Sequence, residues 1–381
     1  MNYTPRVIFN WLNEFVKGQD SALQKISTAL SIHINASYAE AEDVTRTNIL
    51  IAGPTGCGKT ETIRGLMEMD LPCPLPIVKV NALDYSVGAW AGSKPLSSIF
   101  SDAFKQAKKM VEDDLGDKAD EEEKRFFALE ATKHSIIIID EFDKVSKNGR
   151  GGSDNSDSFA ADYQHTLLGI LEGGTEVPVQ IIQGTQSSSA ISTSVRTCGM
   201  LFILMGAFDG LEEITKKRVT PPTPIGFKSR ESNADKMDLT PNTDDLVEYG
   251  FSRELIGRIP VHAKYNQLSA DQLINIMKCA ANSPITKMEK RVEVLNFSLA
   301  VSDTAYEIIA NKVLKFGTGV RGVENYMASI VYPTLYAEAD GSPKRILIDE
   351  NAANGYEPPS VSKIPDSDLV LNEIFEKRKK K

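Results

Sequence analysis

The run Gly53-Pro54-Thr55-Gly56-Cys57-Gly58-Lys59-Thr60 constrains this chain more than any other feature. Its pattern, G-x-x-x-x-G-K-[ST], works only between a strand and a helix. Both flanks read that way. Asn48-Ile49-Leu50-Ile51-Ala52 is a short apolar strand, and residues 60–69 carry helical periodicity. Glycines let the backbone turn its N–H groups inward around phosphate oxygens, and the following helix adds its positive end. Lys59 would then reach the terminal phosphates of ATP, and the Thr60 hydroxyl would ligate Mg²⁺. Pro54, Thr55, Gly56, Cys57, Gly58 and Glu61 complete the loop and the start of its helix. A helix N-terminus lowers the pKa of a thiol, so alkylation of Cys57 is expected to block nucleotide binding.

The run Ile136-Ile137-Ile138-Ile139-Asp140-Glu141 supplies a second half-site. Taken alone, an acidic strand end also reads as a helix cap. Downstream of a phosphate loop it reads better as an apolar central strand delivering Asp140 to a Mg²⁺ shell. Glu141 is then placed to orient or deprotonate an attacking water.

Short apolar strands at 48–52, 77–80, 135–140 and 201–205 alternate with helical segments. That pattern predicts an α/β fold, a P-loop NTPase with a parallel sheet flanked by helices. From Leu268 the pattern turns helical, at 270–281, 302–316 and 321–339, with one late strand at 344–348. The expected division is a large nucleotide-binding domain at 1–264, a smaller, mainly helical lid at 265–349, and a polar, partly disordered tail at 350–381.

Composition excludes several classes. A formal net charge of −9 argues against general nucleic-acid affinity, which needs clustered Lys and Arg. The basic end, Lys377-Arg378-Lys379-Lys380-Lys381, reads as a solvated tail. The four cysteines contain no C-x-x-C pair, which argues against a zinc site or a disulfide framework. No apolar stretch reaches membrane-spanning length and no secretory leader is legible, so a cytoplasmic protein is expected.

Several motifs in one order resemble the AAA+ unfoldases of the ClpX/HslU (Clp/Hsp100) group, closest to ClpX. They run from Phe15-Val16-Lys17-Gly18-Gln19 through Gly53–Thr60 and Ile139-Asp140-Glu141-Phe142-Asp143-Lys144. They continue in Leu167-Leu168-Gly169-Ile170-Leu171-Glu172-Gly173 and Leu201-Phe202-Ile203-Leu204-Met205-Gly206-Ala207-Phe208. The resemblance implies that Val16 and Lys17 contact the adenine. Within Gly250-Phe251-Ser252-Arg253-Glu254-Leu255-Ile256-Gly257-Arg258 it gives Arg258 the role of an arginine finger acting in trans. In Thr318-Gly319-Val320-Arg321-Gly322 it gives Arg321 that of a sensor of nucleotide state. No Asn or Thr ends the strand at 201–205, so no first sensor is assigned. A homo-oligomeric ring, a hexamer, is implied. The family's N-terminal zinc domain is expected to be absent, since the cysteines cannot form it.

The resemblance also implies that the ring threads protein substrates through its pore. The matching pore segment is Ala89-Trp90-Ala91-Gly92, where the family has Gly-Tyr-Val-Gly, so Trp90 would grip through area, with Ala91 and Gly92 beside it. A buried core tryptophan is the other reading of Trp90. Residues 183–190 lack the basic character of the family's pore-entrance loop. Ile225-Gly226-Phe227 lies in a polar, proline-rich stretch and matches the family's docking tripeptide for a ClpP-like peptidase. A stand-alone remodelling chaperone, a AAA+ nucleic-acid remodeller and a non-hydrolysing scaffold are the alternatives. The last is disfavoured by the Asp140-Glu141 pair.

Overall fold

The computed structural model describes residues 3–364 apart from 40, 42, 43, 45, 72, 87–93, 148–153, 183–189 and 221–238. The chain falls into two compact units. One comprises Met1–Asn13, Gln19–Pro54 and Ile63–Asn266; the other comprises Glu14–Gly18, Thr55–Thr62 and Gln267–Lys381.

The first unit is built on a five-stranded sheet, in spatial order Ile77–Asn81, Ile136–Asp140, Leu201–Gly206, Ile49–Ala52 and Val261–Lys264. Every pairing is parallel. A parallel sheet needs helices on its faces, which explains the unbroken apolar runs. Ile49, Leu50, Ile51, Ile136, Ile137 and Ile138 are all fully buried. The helix Ser98–Leu115 seals one face with Phe100, Ala103, Phe104, Ala107 and Val111. Asp20–Tyr38 buries Leu23, Ile26, Leu30 and Ile34 at the usual three- and four-residue spacing.

Several elements differ from the sequence reading. The charged stretch after 113 is split by Gly116 (φ 54°), which ends one helix. The next, Glu121–Lys133, starts from Asp120 in a capping box with Glu123. Part of the polar run expected as a loop at 183–194 is a strand: Ala190–Arg196 pairs antiparallel with Glu176–Ile182. The strand Val261–Lys264 and the helices Thr243–Tyr249 and Arg253–Gly257 also escaped the pattern, being only four, seven and five residues long.

The second unit packs the helices Ala270–Cys279, Pro284–Glu293, Asp303–Lys315 and Gly319–Glu338 around Leu273, Met288, Ile309, Val323 and Met327. Ser269, Ser283 and Ser302 cap the first three through their hydroxyls. Beside them Lys344–Ile348 pairs parallel with Phe297–Val301 and antiparallel with Ser360–Lys363. The start of the polar tail expected from 350 is instead structured. Asp349 caps the helix Glu350–Asn354, which buries Ala352 and Ala353, and a strand follows. Residues 365–381, including the basic end, lie outside the described residues. The sequence division also kept the phosphate loop with the sheet. In the structure Thr55–Thr62 clusters with the second unit, because Val320 N–H donates to Gly56 O at 3.1 Å.

One buried group in the first unit carries a pH dependence. His33 is 1% exposed and its Nε2 faces His134 O at 2.9 Å. Burial, with Arg46 adding to it, pushes its pKa down to about 3. The folded state thus resists a proton that the unfolded chain accepts at about 6.5. His33 leaves stability intact above that value and removes it progressively as pH falls below. Between pH 7 and pH 5 the loss is about 2 kcal/mol from this residue. Urea unfolding followed by circular dichroism should show that pH-dependent loss shrinking by about this amount in His33→Gln.

Candidate nucleotide site

In the first unit the strand Ile49–Ala52 runs into the phosphate loop with no room for a side chain at the junction. A Cβ on Gly53 would meet the Cβ and the carbonyl oxygen of buried Tyr265 at 2.6 Å. That crowding comes from the sheet itself, since Tyr265 N–H donates to Ala52 O at 2.7 Å where the edge strand ends. Pro54 is the last loop residue of this unit.

The second unit holds the rest of the loop. Gly56 (φ 77°) and Gly58 (φ 110°) are both left-handed, a backbone only glycine adopts freely. The two residues shape a turn that ends at Lys59, where the helix Lys59–Met67 begins. Three neighbours press on it. Gly319 (φ 55°) abuts Gly56, and a Cβ there would lie 2.6 Å from Gly56 O. Buried Val16 sits under Gly58, its Cγ1 3.0 Å from where a Cβ would be. Thr318 O also packs on Gly56. Val16, with Lys17 next to it, and the 318–321 turn thus converge on the loop within one unit.

Of the charged residues there, Lys59 Nζ lies 3.9 Å from Cys57 Sγ. Glu61 faces Lys287 at 3.8 Å, and Lys287 also pairs with Glu324 at 3.1 Å. Arg321 is exposed in the first turn of Gly319–Glu338, close enough for its charge to act on the Cys57 thiol. Thr60 follows Lys59 in the first turn of its helix.

Cys57 corrects an expectation. Its side chain is buried, and burial pushes the thiol pKa up despite the opposing pull of Lys59 and Arg321. The helix terminus therefore does not make it an activated nucleophile. Mass spectrometry of the native protein treated with iodoacetamide at pH 8 should find Cys57 labelled more slowly than exposed Cys198 and Cys279.

The acidic half-site belongs to the first unit. Asp140 ends the second strand of the sheet, at the same sheet edge as Ala52, with one strand between them. Open parallel sheets bind ligands beyond this carboxyl edge. Asp140 Oδ1 accepts Glu141 N–H at 2.9 Å, and Oδ2 pairs with Lys79 at 2.8 Å. Glu141 adopts φ 55°, ψ 33°, a left-handed conformation uncommon for a non-glycine residue. The turn Phe142–Val145 holds it there, with Phe142 fully buried and stacked on Phe251 at 4.9 Å.

The same turn explains why no polar side chain ends the strand Leu201–Gly206. A Cβ on Gly206 would collide with the carboxylate of buried Asp143 and lie 3.0 Å from its backbone nitrogen. An Asn or Thr does not fit. Arg258 follows the helix Arg253–Gly257; it is half-exposed and paired with Glu172 at 2.9 Å. Asn48 Nδ2 donates to its carbonyl at 2.9 Å, which ties this segment to the strand before the loop.

Trp90, Ala91 and Gly92, the loop 183–189, and Ile225, Gly226 and Phe227 lie outside the described residues. The sequence reading passed over Lys79 and Glu172. Lys79 belongs to no motif and Glu172 was given no role within its own, and only strand register and folding bring them to Asp140 and Arg258.

The donors fit what the fold implies. Two left-handed glycines that admit no side chain make a backbone cradle of the type that takes phosphate. Asp140 offers hard carboxylate oxygens at a partly exposed strand end. Among the described residues no group of three or more His, Cys, Asp or Glu gathers for a metal. Mg²⁺ takes one or two carboxylates and completes its shell with phosphate and water, so a carboxylate of the kind Asp140 offers fits it. Among the described residues no helix is long and apolar enough to cross a membrane.

Comparison with known proteins agrees with this architecture. Residues 45–262 match the AAA domain (Cdc48 subfamily). The chain is 27% identical over 343 residues to the ATP-dependent Clp protease ATP-binding subunit ClpX of Treponema denticola, spanning 87% of this chain and 77% of that protein. The protein of the same name from Porphyromonas gingivalis is 24% identical over 360 residues, spanning 92% and 82%. That from Borrelia duttonii is 27% identical over 342 residues, spanning 87% and 74%. With the domain match covering more than half of its length, on a parallel P-loop sheet followed by a helical unit, the chain belongs to the AAA domain family as a ClpX-like AAA+ protein.

Proposed function

We propose that this chain is an ATP-dependent protein unfoldase and translocase of ClpX type, acting as a ring hexamer in the cytoplasm. Two observations support the reading, each within one unit: a left-handed glycine cradle at Gly56 and Gly58, and an Asp140-Glu141 pair at the end of a strand of the parallel sheet. The names of the relatives, ATP-binding subunits of a Clp protease, support the choice among AAA+ functions.

Bound Mg²⁺ would neutralise phosphate charge and polarise the bond that breaks. Thr60 and Asp140 are the residues that would hold it. The loop amides and Lys59 bind and orient the phosphates, and Val16 and Lys17 receive the adenine. Glu141, aimed by its left-handed backbone, takes a proton from water at its carboxylate. Arg258 acts on the nucleotide of the neighbouring subunit, so its exposed pair with Glu172 is one the ring exchanges. Such pairs contribute only about 0–1 kcal/mol, so the exchange is inexpensive. Arg321 responds to nucleotide from the helical unit.

In this reading Trp90, with Ala91 and Gly92, grips polypeptide, and Ile225-Gly226-Phe227 docks a ClpP-like peptidase. In this reading the peptidase chemistry belongs to the partner. A nucleic-acid remodeller is disfavoured by the net charge of −9, and no zinc is called for.

Glu141→Gln should lower ATP turnover at least about a hundredfold while retaining ATP binding. Arg258→Ala should do the same and leave ATP affinity unchanged. Size exclusion of Glu141→Gln with ATP should give a hexamer that traps unfolded protein. Undiminished turnover in Glu141→Gln, or a persistent monomer with no trapped protein, overturns the reading. Deleting residues 225–227 should abolish stimulation by a ClpP-type peptidase and spare ATPase activity. Stimulation that survives the deletion disproves the docking role.

A further inference from the structure

The carboxylate of Asp140 is held from two sides within the first unit. Glu141 N–H donates to Oδ1 at 2.9 Å, and the Lys79 ammonium sits 2.8 Å from Oδ2. The second partner follows from the register of the sheet. Asn81 lies directly opposite Asp140 on the neighbouring strand, but its side-chain oxygen is committed to Leu83 N–H at 2.9 Å. That bond caps the short turn Ala82–Asp84. Lys79, two residues earlier and on the same face, is the diagonal neighbour, and a lysine stem spans that separation. Val78 and Val80 on either side are buried, so the strand is anchored while the Lys79 side chain remains free to turn.

We infer that Lys79 is a positioning residue that competes with the divalent cation for Asp140. The inference rests on the P-loop reading of the site. The ammonium neutralises the carboxylate while no cation is present and must release Oδ2 before Asp140 serves as a metal ligand. An ammonium and a divalent cation on one carboxylate oxygen repel strongly at contact distance. Mg²⁺ also demands a near-ideal octahedral shell with several waters, which an ammonium at 2.8 Å obstructs. Release is feasible because the side chains of Lys79 and Asp140 are 32% and 25% exposed and solvent can take up the freed charge. Glu141 N–H keeps hold of Oδ1 throughout, so the carboxylate stays aimed when Lys79 leaves. Lys79 therefore raises the cation concentration at which nucleotide binds tightly, and makes nucleotide binding more dependent on the cation than Asp140 alone would.

The test measures binding and not turnover. A ribose-labelled fluorescent ADP is titrated into the full chain over a series of Mg²⁺ concentrations, and the Mg²⁺ midpoint of the gain in affinity is read. Lys79→Met should lower that midpoint roughly two- to fivefold, the range of a partly exposed ion pair. Lys79→Arg, which keeps the charge and the pair, should stay near the wild type. The shift should shrink at high salt, which screens such a pair. Lys79→Gln gives a second reading should Lys79→Met fail to fold by circular dichroism. A midpoint unchanged or raised in the uncharged variants overturns the inference alone. A wild-type chain that binds no labelled ADP at any Mg²⁺ concentration overturns the P-loop reading, and this inference with it.

Discussion

The structure depends on backbone passing where no side chain can go. At Gly53 a Cβ would lie 2.6 Å from Tyr265, and at Gly56 and Gly58 the chain turns through left-handed dihedrals. Each position answers to a different neighbour: the end of the edge strand, the Thr318–Gly319 turn, and the Val16 side chain. The phosphate loop is thus shaped by what surrounds it as much as by its own sequence. A loop so crowded loses little further freedom when it closes on an anion, which is the physical content of preorganisation.

The charged residues named in each unit are arranged in partly exposed pairs. Lys79 with Asp140, Arg258 with Glu172 and Lys287 with Glu61 and Glu324 all lie at partly exposed positions. Pairs of this kind contribute little to stability, so breaking them does not threaten the fold. A buried charge pair would, since separating it leaves an uncompensated ion. The stability of each unit comes instead from its apolar core, through residues such as Leu50, Ile137 and Phe142 in one and Ile309, Val323 and Met327 in the other. The pairs can therefore break without loss of the cores that hold each unit.

Much of this was legible in the sequence, because unbroken apolar strands and the glycine loop are local signals. Ile136–Asp140 announces itself through four consecutive isoleucines, and Gly53–Thr60 through its spacing. The elements that escaped are short or polar. Val261–Lys264 offers four residues, and Ala190–Arg196 alternates serine and threonine with apolar residues too sparsely to stand out. The Cys57 thiol was misread because a helix terminus can be seen in sequence and burial cannot. Lys79 was invisible for a related reason. Its place beside Asp140 is a matter of register, set by how the two strands pair.

Glu141 shows how these constraints combine. A left-handed glutamate costs of order 1 kcal/mol or more and persists only where its surroundings fix it. Here the residue that follows is stacked against Phe251, and the next carboxylate, Asp143, packs on Gly206. Enlarging Gly206 would push Asp143 and, through the short turn, the backbone that aims Glu141. The glycine at the end of that strand therefore does for this site what a polar side chain could not. It yields its space so that the turn carrying Asp140 and Glu141 can close tightly, and the orientation of the proposed base becomes a property of the core.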